Sequence, residues 1–438
     1  MSLLDRLHAR LARQPATRHW RVGFSGGLDS TVLLHLFARL RERGLSGELQ
    51  AVHVHHGLQP GADAWVEHCG RVCAALDVPL AIRHVRIDEA ASLERAAREA
   101  RYAAFAEVLP AGGCLLLGQH RDDQLETLLQ RLVRGAGVKG LAGMPETRPL
   151  AAGRLWRPLL DEPRAALLAY AEAEGLDWIE DPSNADTGLD RNYLRHEVLP
   201  RLRNRWPGVD RVMARSARHL AEAEELLGEL AQLDLRQAQV GGRAFAWVPL
   251  PSLALAALQG LSDARQRNAL RTWLADLTRQ PDSAHWAGWQ ALREGGEASD
   301  PCWRLEGGEV RRGAGQLWWV PDAWQVETPP QELVAGQQSL VLPGNGHLSL
   351  RGAGAQPGWR IAYRQGGEQL VVPGRGRRDL KRLLNERGVP TFLRGRLPLL
   401  WRGDELLAVA NLPGLDGLPG GGRLEWQPAD GVAGFELP

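Results

Sequence analysis

The chain of 438 residues is longer than one ordinary domain, so two or three domains are expected. A formal net charge of +1 gives no global sign of a nucleic-acid partner, and no apolar run reaches the ~20 residues that a membrane helix needs. The first residues lack the apolar core of a secretion signal, so we expect a cytoplasmic protein without a membrane partner. The four cysteines lack disulfide or zinc spacing and are predicted to be buried free thiols.

Residues 20–160 alternate short apolar runs with helical patterns, which predicts βαβ units and a parallel sheet covered on both faces. Such sheets bind ligands beyond the carboxyl ends of their strands. The predicted strands are Val22–Phe24, Val52–Val54, Leu80–Val85 and Cys114–Leu117, and the predicted helices are 29–43, 63–76, 92–108 and 121–133.

Composition changes beyond this region, with mostly helical patterns to about residue 235 and frequent Trp, Pro and Gly afterwards. We predict an α/β protein whose N-terminal parallel-sheet domain is followed by a helical linker domain and a small β-rich, α+β C-terminal domain. The predicted segments are 1–208, 209–300, 301–357 and 358–438.

The most informative motif is the Ser-Gly-Gly-Leu-Asp-Ser run Ser25–Ser30, between the first strand and the first helix of the alternating region. Glycines let a bulky anion approach the backbone, and the N–H groups that open a helix bind negative charge. Serine hydroxyls donate to phosphate oxygens, whereas Asp29 accepts and fits a bridging divalent metal. No lysine follows, so this is not the usual P-loop. The structural alternative is a plain glycine turn.

A second motif, Gly118–Thr127, follows the Cys114–Leu117 strand and opens a helix. Leu125, Leu128, Leu129 and Leu132 define a predicted buried face, which leaves His120, Asp123 and Thr127 on the other side. Histidine and carboxylate at one helix end can handle a metal, a phosphate or an amine. The alternative is an ordinary helix cap with acidic first-turn residues.

Other residues near the predicted strand ends carry less specific signals. Arg98 and Arg101 are predicted on an exposed helix face, where they either neutralise phosphates or a carboxylate or form simple surface pairs. His53, His55 and His56 are too few on one strand face for a metal site and are predicted to wall a nucleotide. The glycine-rich basic loop 131–141 is predicted either to close over a ligand or to be a plain surface loop.

Two segments concentrate positive charge. Residues 191–218 hold eight arginines, and residues 364–402 hold ten basic residues. Arg191 and Arg195 stand one helical turn apart and face together. Such segments fit a phosphate backbone or an arginine-rich solvated surface.

Taken in chain order, these motifs resemble the tRNA(Ile)-lysidine synthetase family of PP-loop ATP pyrophosphatases. The resemblance covers residues 20–203 through the Ser25–Ser30 loop, the His-His-Gly-Leu strand end, the Ala-Arg-x-x-Arg-Tyr helix, the Gly118–Thr127 segment, Arg157–Leu160, Asp181–Asn184 and Arg191–Arg195. It returns weakly at 364–368 and 377–384, which resemble that family's C-terminal tRNA-binding domain.

The resemblance implies a carbon–nitrogen ligase that uses ATP and Mg²⁺. ATP would adenylate C2 of the wobble cytidine of a tRNA(Ile) with a CAU anticodon, and the ε-amine of free L-lysine would displace AMP. Residue type and predicted position agree with this reaction, and from them we predict the following roles: catalysis for Asp29, His120 and Asp123; ATP binding for Ser25, Gly26, Gly27, Leu28, Asp29, Ser30 and His53; metal binding for Asp29; lysine binding for Arg98, Arg101 and Asp123; and tRNA binding for Arg191, Arg195, Arg377, Arg378, Lys381 and Arg382.

The chain departs from the family at Gln119, where many members carry a histidine, so His120 and Asp123 are the better catalytic candidates. Three rival functions remain open: a PP-loop tRNA thiolase, an amide-forming synthetase with a glutaminase domain, and a non-catalytic ATP- or tRNA-binding module. The cysteine spacing does not favour a thiolase, and there is no N-terminal catalytic cysteine for a glutaminase. The sequence does not decide between a monomer and a homodimer.

Overall fold

A computed structural model of the chain describes residues 1–57, 62–86, 93–239, 245–282, 284–295, 300–326 and 328–429. The chain forms two compact units, Met1–Glu225 and Leu226–Pro438, called here the N-terminal and the C-terminal unit. Each unit is described by itself. Within the described ranges, no helix is both long and apolar enough to cross a membrane.

The N-terminal unit alternates strands and helices, as predicted. Its elements are α1 (Leu3–Leu11), β1 (His19–Gly23), α2 (Leu28–Glu42), β2 (Glu48–His55), α3 (Ala62–Ala75), β3 (Leu80–His84), α4 (Leu93–Glu107), β4 (Cys114–Leu116), α5 (Arg121–Val133), α6 (Val138–Leu141), β5 (Thr147–Leu150), β6 (Gly153–Trp156), α7 (Arg164–Ala173), α8 (Asp190–Tyr193), α9 (Leu199–Arg205) and the first part of α10 (Val209–Gln239). The four predicted strands and four predicted helices are confirmed, with small shifts at their ends.

The six strands form one sheet in the order β3-β2-β1-β4-β6-β5, parallel except for the edge strand β5. From β1 the chain continues to β2 on one side, and β4 pairs on the other side of β1. The carboxyl ends of β1 and β4 therefore flank a topological switch point, which is where open α/β sheets bind ligands. The loops after these two strands carry the two main motifs.

Apolar helices fix this edge of the sheet. Helix α2 is buried along most of its length, including Leu28, Val32 and Leu36, so its N-terminus is held firmly at the end of β1. Gly118 follows β4, and a Cβ there would lie 2.9 Å from the carbonyl oxygen of Asp29. Only glycine lets these two loops approach so closely.

Two details of the sequence predictions are wrong. Helix α5 buries Leu125 and Leu128 as predicted, but Leu132 is exposed, and the polar Asp123 and Glu126 are buried. Among the cysteines, Cys69, Cys73 and Cys114 are buried free thiols, whereas Cys302 is exposed at the start of its strand. Burial raises the pKa of both Cys69 and Cys73 to about 12, so neither is a ready nucleophile.

The C-terminal unit begins within α10 at Leu226 and is mostly β-structure after that helix. Its further elements are β7 (Ser252–Ala254), α11 (Leu255–Gln259), α12 (Asp263–Leu274), α13 (Trp286–Glu294), β8 (Cys302–Leu305), β9 (Gly308–Gly313), β10 (Gln316–Pro321), β11 (Gln331–Glu332), β12 (Ser339–Leu342), β13 (Gly346–Arg351), β14 (Trp359–Ala362), β15 (Gln369–Val372), β16 (Gly376–Asp379), α14 (Leu380–Glu386), α15 (Thr391–Arg394), β17 (Leu399–Arg402), β18 (Glu405–Val409) and β19 (Arg423–Gln427).

These strands form three sheets, in the orders β7-β10-β9-β8, β11-β14-β17-β18-β15-β16 and β12-β13-β19. One core, around Trp273, Trp289 and Trp319, packs α11–α13 on the first sheet, and a second core joins the other two sheets. The predicted boundary at 300/301 falls inside the first arrangement, since β7 pairs with β10. The four-segment division itself stays a prediction.

Candidate active site

The Ser25–Ser30 loop, called here the PP-loop, is shaped by its glycines and serines. Gly26 has a φ of +84°, and a Cβ there would meet Ile179 and Cys69 at 3.0 and 3.1 Å, so the loop requires glycine. The Ser30 hydroxyl donates to the Gly27 carbonyl oxygen (3.0 Å) and accepts from the Ser25 N–H (3.2 Å). These two hydrogen bonds fix the conformation of the loop at the start of α2.

The N-terminus of α2 is suited to an anion. Gly27 is the N-cap residue and offers no side chain to the first-turn N–H groups, which have no partner within the helix. The Leu28 side chain is buried in the core, so only its backbone can serve the predicted ATP contact. With the helix dipole, this arrangement favours a phosphate group.

Asp29 lies at the switch point, partly exposed. Its Oδ2 atom is 3.4 Å from His120 Nε2, while its Oδ1 atom is buried and has no hydrogen-bond partner in the described part of the chain. A buried carboxylate oxygen without a partner is costly unless a cation or a proton donor serves it. The described residues contain no group of three or more metal-binding side chains. One carboxylate beside a phosphate site nevertheless fits Mg²⁺, which is commonly held by one or two carboxylates and substrate phosphates.

His120 is fully buried at the N-cap of α5, where the Asp123 carboxylate accepts the His120 backbone N–H (3.0 Å). Its Nε2 atom lies 3.4 Å from Asp29 Oδ2 and 3.5 Å from Asp123 Oδ2. Burial alone would lower the pKa of His120, but the contact with Asp29 and the charge of Asp123 outweigh it, so the pKa is raised. The structure thus brings the three predicted catalytic residues together.

A buried charge cluster adjoins this group. Glu126, which is fully buried, accepts from Arg191 Nε (2.6 Å) and from Arg195 Nε (2.7 Å), and Asp123 Oδ1 accepts from Arg191 Nη2 (2.6 Å). Burial opposes the charge of Arg195, yet the Glu126 carboxylate raises its pKa overall. We call Asp123, Glu126, Arg191 and Arg195 the charge cluster.

The predicted lysine-site arginines lie on α4. The guanidinium of Arg98 is exposed and lies 5.1 Å from the ring centre of Tyr102, a cation–π contact. The prediction of an exposed Arg101 is wrong, since Arg101 is partly buried, and in the described part of the chain no carboxylate pairs with it. Burial therefore lowers the pKa of Arg101, and nearby Arg98 and Arg191 lower it further. An unpaired guanidinium of this kind is suited to an anionic ligand.

The His53 side chain makes its contacts with other residues of the protein. Its side chain is buried, its Nδ1 donates to the carbonyl oxygen of Phe24 (2.9 Å), and the Cys69 sulfur lies 3.4 Å away. Burial lowers the pKa of His53, which favours the neutral ring. His53 thus supports the residue before the PP-loop, and its predicted ATP contact stays a prediction.

Three family models match the chain: a PP-loop domain over residues 3–202, a TilS substrate binding domain over 253–318 and a TilS substrate C-terminal domain over 359–426. The tRNA(Ile)-lysidine synthase of Pseudomonas aeruginosa is 56% identical over 429 residues, 97% of each chain. That of Pseudomonas fluorescens is 56% identical over 98% of each chain. The Escherichia coli O157:H7 enzyme is 42% identical over 91% of this chain and 94% of its own. The chain belongs to the tRNA(Ile)-lysidine synthase family.

Membership of the tRNA(Ile)-lysidine synthase family confirms the resemblance predicted from the motifs, and it does not favour the thiolase, glutaminase or binding-module alternatives. The PP-loop domain match makes ATP the expected substrate of the N-terminal unit. The match over 253–318 spans β7 to β10, which are joined in one sheet.

Sequence reasoning missed two residues of this site. Glu126 is fully buried, and its sequence neighbours give no signal of this, because its partners lie 65 and 69 residues away. Arg157, also buried, donates from Nε to Gln119 Oε1 (3.1 Å) and from Nη1 to the Pro145 carbonyl oxygen (2.6 Å). Gln119 therefore binds a buried arginine beside His120.

The predicted tRNA-binding residues of the C-terminal unit lie apart from any buried cluster. Arg377 and Arg378 are exposed on β16, an edge strand, and Lys381 is exposed on α14. Arg382, also exposed, pairs with Glu386 (3.1 Å). The structure thus brings these four residues to one edge of a sheet, where a phosphate backbone can reach them.

Proposed function

We propose that this protein is a tRNA(Ile)-lysidine synthase that forms a carbon–nitrogen bond between free L-lysine and the wobble cytidine of a tRNA(Ile) with a CAU anticodon. The observation that carries the proposal is the meeting of the PP-loop, Asp29 and His120 at the switch point, in a chain of this family. That edge joins an anion site to a carboxylate–histidine pair.

In the first step, the C2 carbonyl oxygen of the cytidine attacks the α-phosphorus of ATP, and the bond to the bridging oxygen breaks to release pyrophosphate. Ser25, Ser30 and the N–H groups of the PP-loop bind the departing diphosphate. Asp29 would hold Mg²⁺, which neutralises the developing negative charge. Asp29 and Asp123 raise the pKa of His120, which favours the charged ring next to Asp29.

In the second step, the ε-amine of lysine attacks C2, the bond from C2 to the adenylated oxygen breaks, and AMP leaves while the amine loses its proton. Arg101, the guanidinium without a carboxylate partner in the described residues, binds the lysine carboxylate, with Arg98 as the exposed second donor. Asp123 attracts the lysine ammonium through Oδ2, which has a second acceptor site beyond the one used by the His120 N–H, whereas Oδ1 accepts from both Arg191 and Arg195.

We expect Asp123→Asn to raise the KM for lysine by roughly tenfold, because a charge-assisted hydrogen bond contributes about 1.5–3 kcal/mol. Steady-state kinetics with varied lysine at saturating ATP and tRNA measure this. Asp190→Asn, which changes an exposed carboxylate paired with Arg134 at the surface, serves as the matched control. A lower kcat with an unchanged KM for lysine would make Asp123 a positioning residue for His120 instead.

The exposed cations of β16 and α14 are proposed to bind tRNA phosphates. Replacing Arg377, Arg378 and Arg382 together by alanine is expected to weaken tRNA binding and to reduce the slope of log K against log salt by about 2–3, since each phosphate contact contributes about 0.7–0.9. Filter binding at several salt concentrations measures the slope.

The matched control removes three other arginines of the same unit, each paired with a carboxylate: Arg304, Arg351 and Arg402. This triple variant loses the same charge and should keep the wild-type slope. Equal salt slopes for the two triple variants would indicate that Arg377, Arg378 and Arg382 belong to an ordinary solvated surface and do not contact tRNA phosphates.

We propose that the main role of Arg191 and Arg195 is to bind the carboxylates of Asp123 and Glu126, because their guanidinium groups hydrogen-bond these carboxylates at 2.6–2.7 Å. Their predicted contact with tRNA phosphates stays a prediction, as does a homodimer. The four predicted segments remain our proposal for the functional division, with catalysis in 1–208 and tRNA binding in 358–438.

Incubation of the protein with ATP, isotope-labelled lysine and total tRNA tests the proposed function. We expect label in the tRNA and pyrophosphate release that requires tRNA. If pyrophosphate release requires tRNA but no label enters the tRNA, the result would favour another PP-loop modification, such as thiolation. ATP binding without pyrophosphate release would favour a binding module.

A further inference from the structure

The C-terminal unit contains a cavity of about 710 Å³ that the proposed mechanism does not use. Three aromatic side chains line it: Trp324, Tyr363 and Phe392. Its volume is in the range of about 300–1,000 Å³ that is typical of small-ligand sites. Aromatic faces in a cavity of this size provide stacking surfaces for a planar group.

Two buried polar atoms in the cavity wall have no hydrogen-bond partner in the described part of the chain. Glu309 is fully buried, and its Oε1 accepts from Arg311 Nε (2.5 Å) and Gln325 Nε2 (3.0 Å), but its Oε2 accepts from no donor. Arg304 Nη2 lies 3.5 Å from Oε2, an ion pair without a hydrogen bond. The indole N–H of the buried Trp324 also has no acceptor.

Buried polar atoms are rarely left unpaired, so an acceptor and a donor in one wall point to a ligand with complementary groups. A positive group completes the wall. Arg364 lines the cavity, its Nε atom has no hydrogen-bond partner in the described residues, and it lies 3.5 Å from Glu368 Oε2. The wall thus combines rings, an acceptor, a donor and a loosely held guanidinium.

We propose that this cavity binds one unstacked nucleotide of the RNA substrate, whose base carries an exocyclic amino group. The inference rests on the proposed function for its RNA ligand. The base stacks on Phe392, its amino group donates to Glu309 Oε2, and its phosphate pairs with Arg364. Adenine, cytosine and guanine have such an amino group, whereas uracil offers only its ring N3–H as a donor, so the site is proposed to favour an amino-bearing base over uracil.

Chemical footprinting of the tRNA(Ile) bound to the full-length protein tests this inference. Dimethyl sulfate reports unpaired adenine and cytosine, kethoxal reports guanine, and a carbodiimide reports uracil. We expect one unpaired adenine, cytosine or guanine to be protected by the wild-type protein and by Phe392→Tyr. With Phe392→Leu, which keeps an apolar side chain but loses the ring, the base should become reactive and the Kd should rise roughly 5- to 150-fold.

Val341→Ala, an exposed apolar truncation on β12 of the same unit, is the matched control and should keep both the footprint and the Kd of the wild type. Circular dichroism melting of each variant identifies a folding defect. Because Phe392→Tyr keeps an aromatic ring and Phe392→Leu does not, comparison of the two variants isolates the effect of the ring. As a second arm, replacing the protected nucleotide by uridine should raise the Kd of the wild-type protein roughly tenfold.

Protection that is the same with Phe392→Leu as with the wild type would overturn the inference, and so would protection of a uracil alone. The labelled-lysine assay separates this failure from failure of the proposed function. If the wild-type protein incorporates lysine and no base depends on Phe392, only the nucleotide cavity is wrong. If it incorporates no lysine, the proposed function is wrong whatever the footprint shows.

Discussion

Replacement of Asp29 by alanine is expected to lower tRNA-dependent pyrophosphate release by at least about 100-fold, because loss of one preorganised group that stabilises transition-state charge costs about 10²–10³ in kcat. The variant removes the carboxylate whose Oδ1 has no partner in the described residues and whose Oδ2 faces His120. A coupled assay for pyrophosphate at saturating ATP, lysine and tRNA measures the rate.

Glu42→Ala provides the matched control for this experiment. Glu42 is an exposed carboxylate at the other end of the same helix, paired with Arg39 at the surface. Its loss should leave the rate within about twofold of the wild type, since exposed pairs contribute little. A rate close to normal in Asp29→Ala would remove Asp29 from both the metal site and catalysis.

Loss of Glu126 should have the largest effect on stability. Glu126→Ala leaves Arg191 and Arg195 without the buried carboxylate that accepts from both. Breaking a buried pair costs about 3–5 kcal/mol, and we expect about 3 kcal/mol because 40% of the Arg191 side chain is exposed to screening solvent. Urea unfolding, followed by circular dichroism, measures the free energy of unfolding.

Arg201→Ala is the comparison for the charge cluster. Arg201 pairs with Glu197 one turn away at the surface, and 82% of its side chain is exposed. Its unfolding midpoint should match that of the wild type. If Glu126→Ala unfolds at the same urea concentration as Arg201→Ala, then the buried pairs do not stabilise the N-terminal unit and the cluster has another purpose.

Local sequence patterns predicted the parts of the site that are local in the chain. The glycines of the PP-loop and the strand before it belong to one short segment, so a tight turn there is predicted from residue type, and the glycine at position 26 permits its φ of +84°. The alternating strands and helices also predicted that the Ser25–Ser30 and Gly118–Thr127 segments would lie at one edge of a parallel sheet. Gly118 beside Asp29 then follows from strand order.

Contacts between distant segments could not be predicted in the same way. Arg191 and Arg195 face together on a helix, and this pattern is the same for an exposed cationic surface and for a pair that binds a carboxylate. The structure decides for the carboxylate, because α5 brings Glu126 to them from 65 and 69 residues away. The same limit hid Arg157, whose partners are backbone and side-chain groups of other loops.

The C-terminal unit was less predictable than the N-terminal unit. Its strands have two to six residues, and many are joined by glycine turns. The alternation of apolar and polar residues in each strand is therefore too short to identify the strand from sequence. Strand β7, for example, has three residues and joins its sheet only because β10, more than 60 residues later, pairs with it. Such pairing depends on tertiary packing, which local patterns do not encode.

A crystal structure with a non-hydrolysable ATP analogue tests the central claim most directly. We predict the β- and γ-phosphates against the backbone of Ser25–Ser30 and the N-terminus of α2, with Asp29 on the metal side of the phosphates. A nucleotide bound elsewhere, with the PP-loop free of phosphate, would contradict the account.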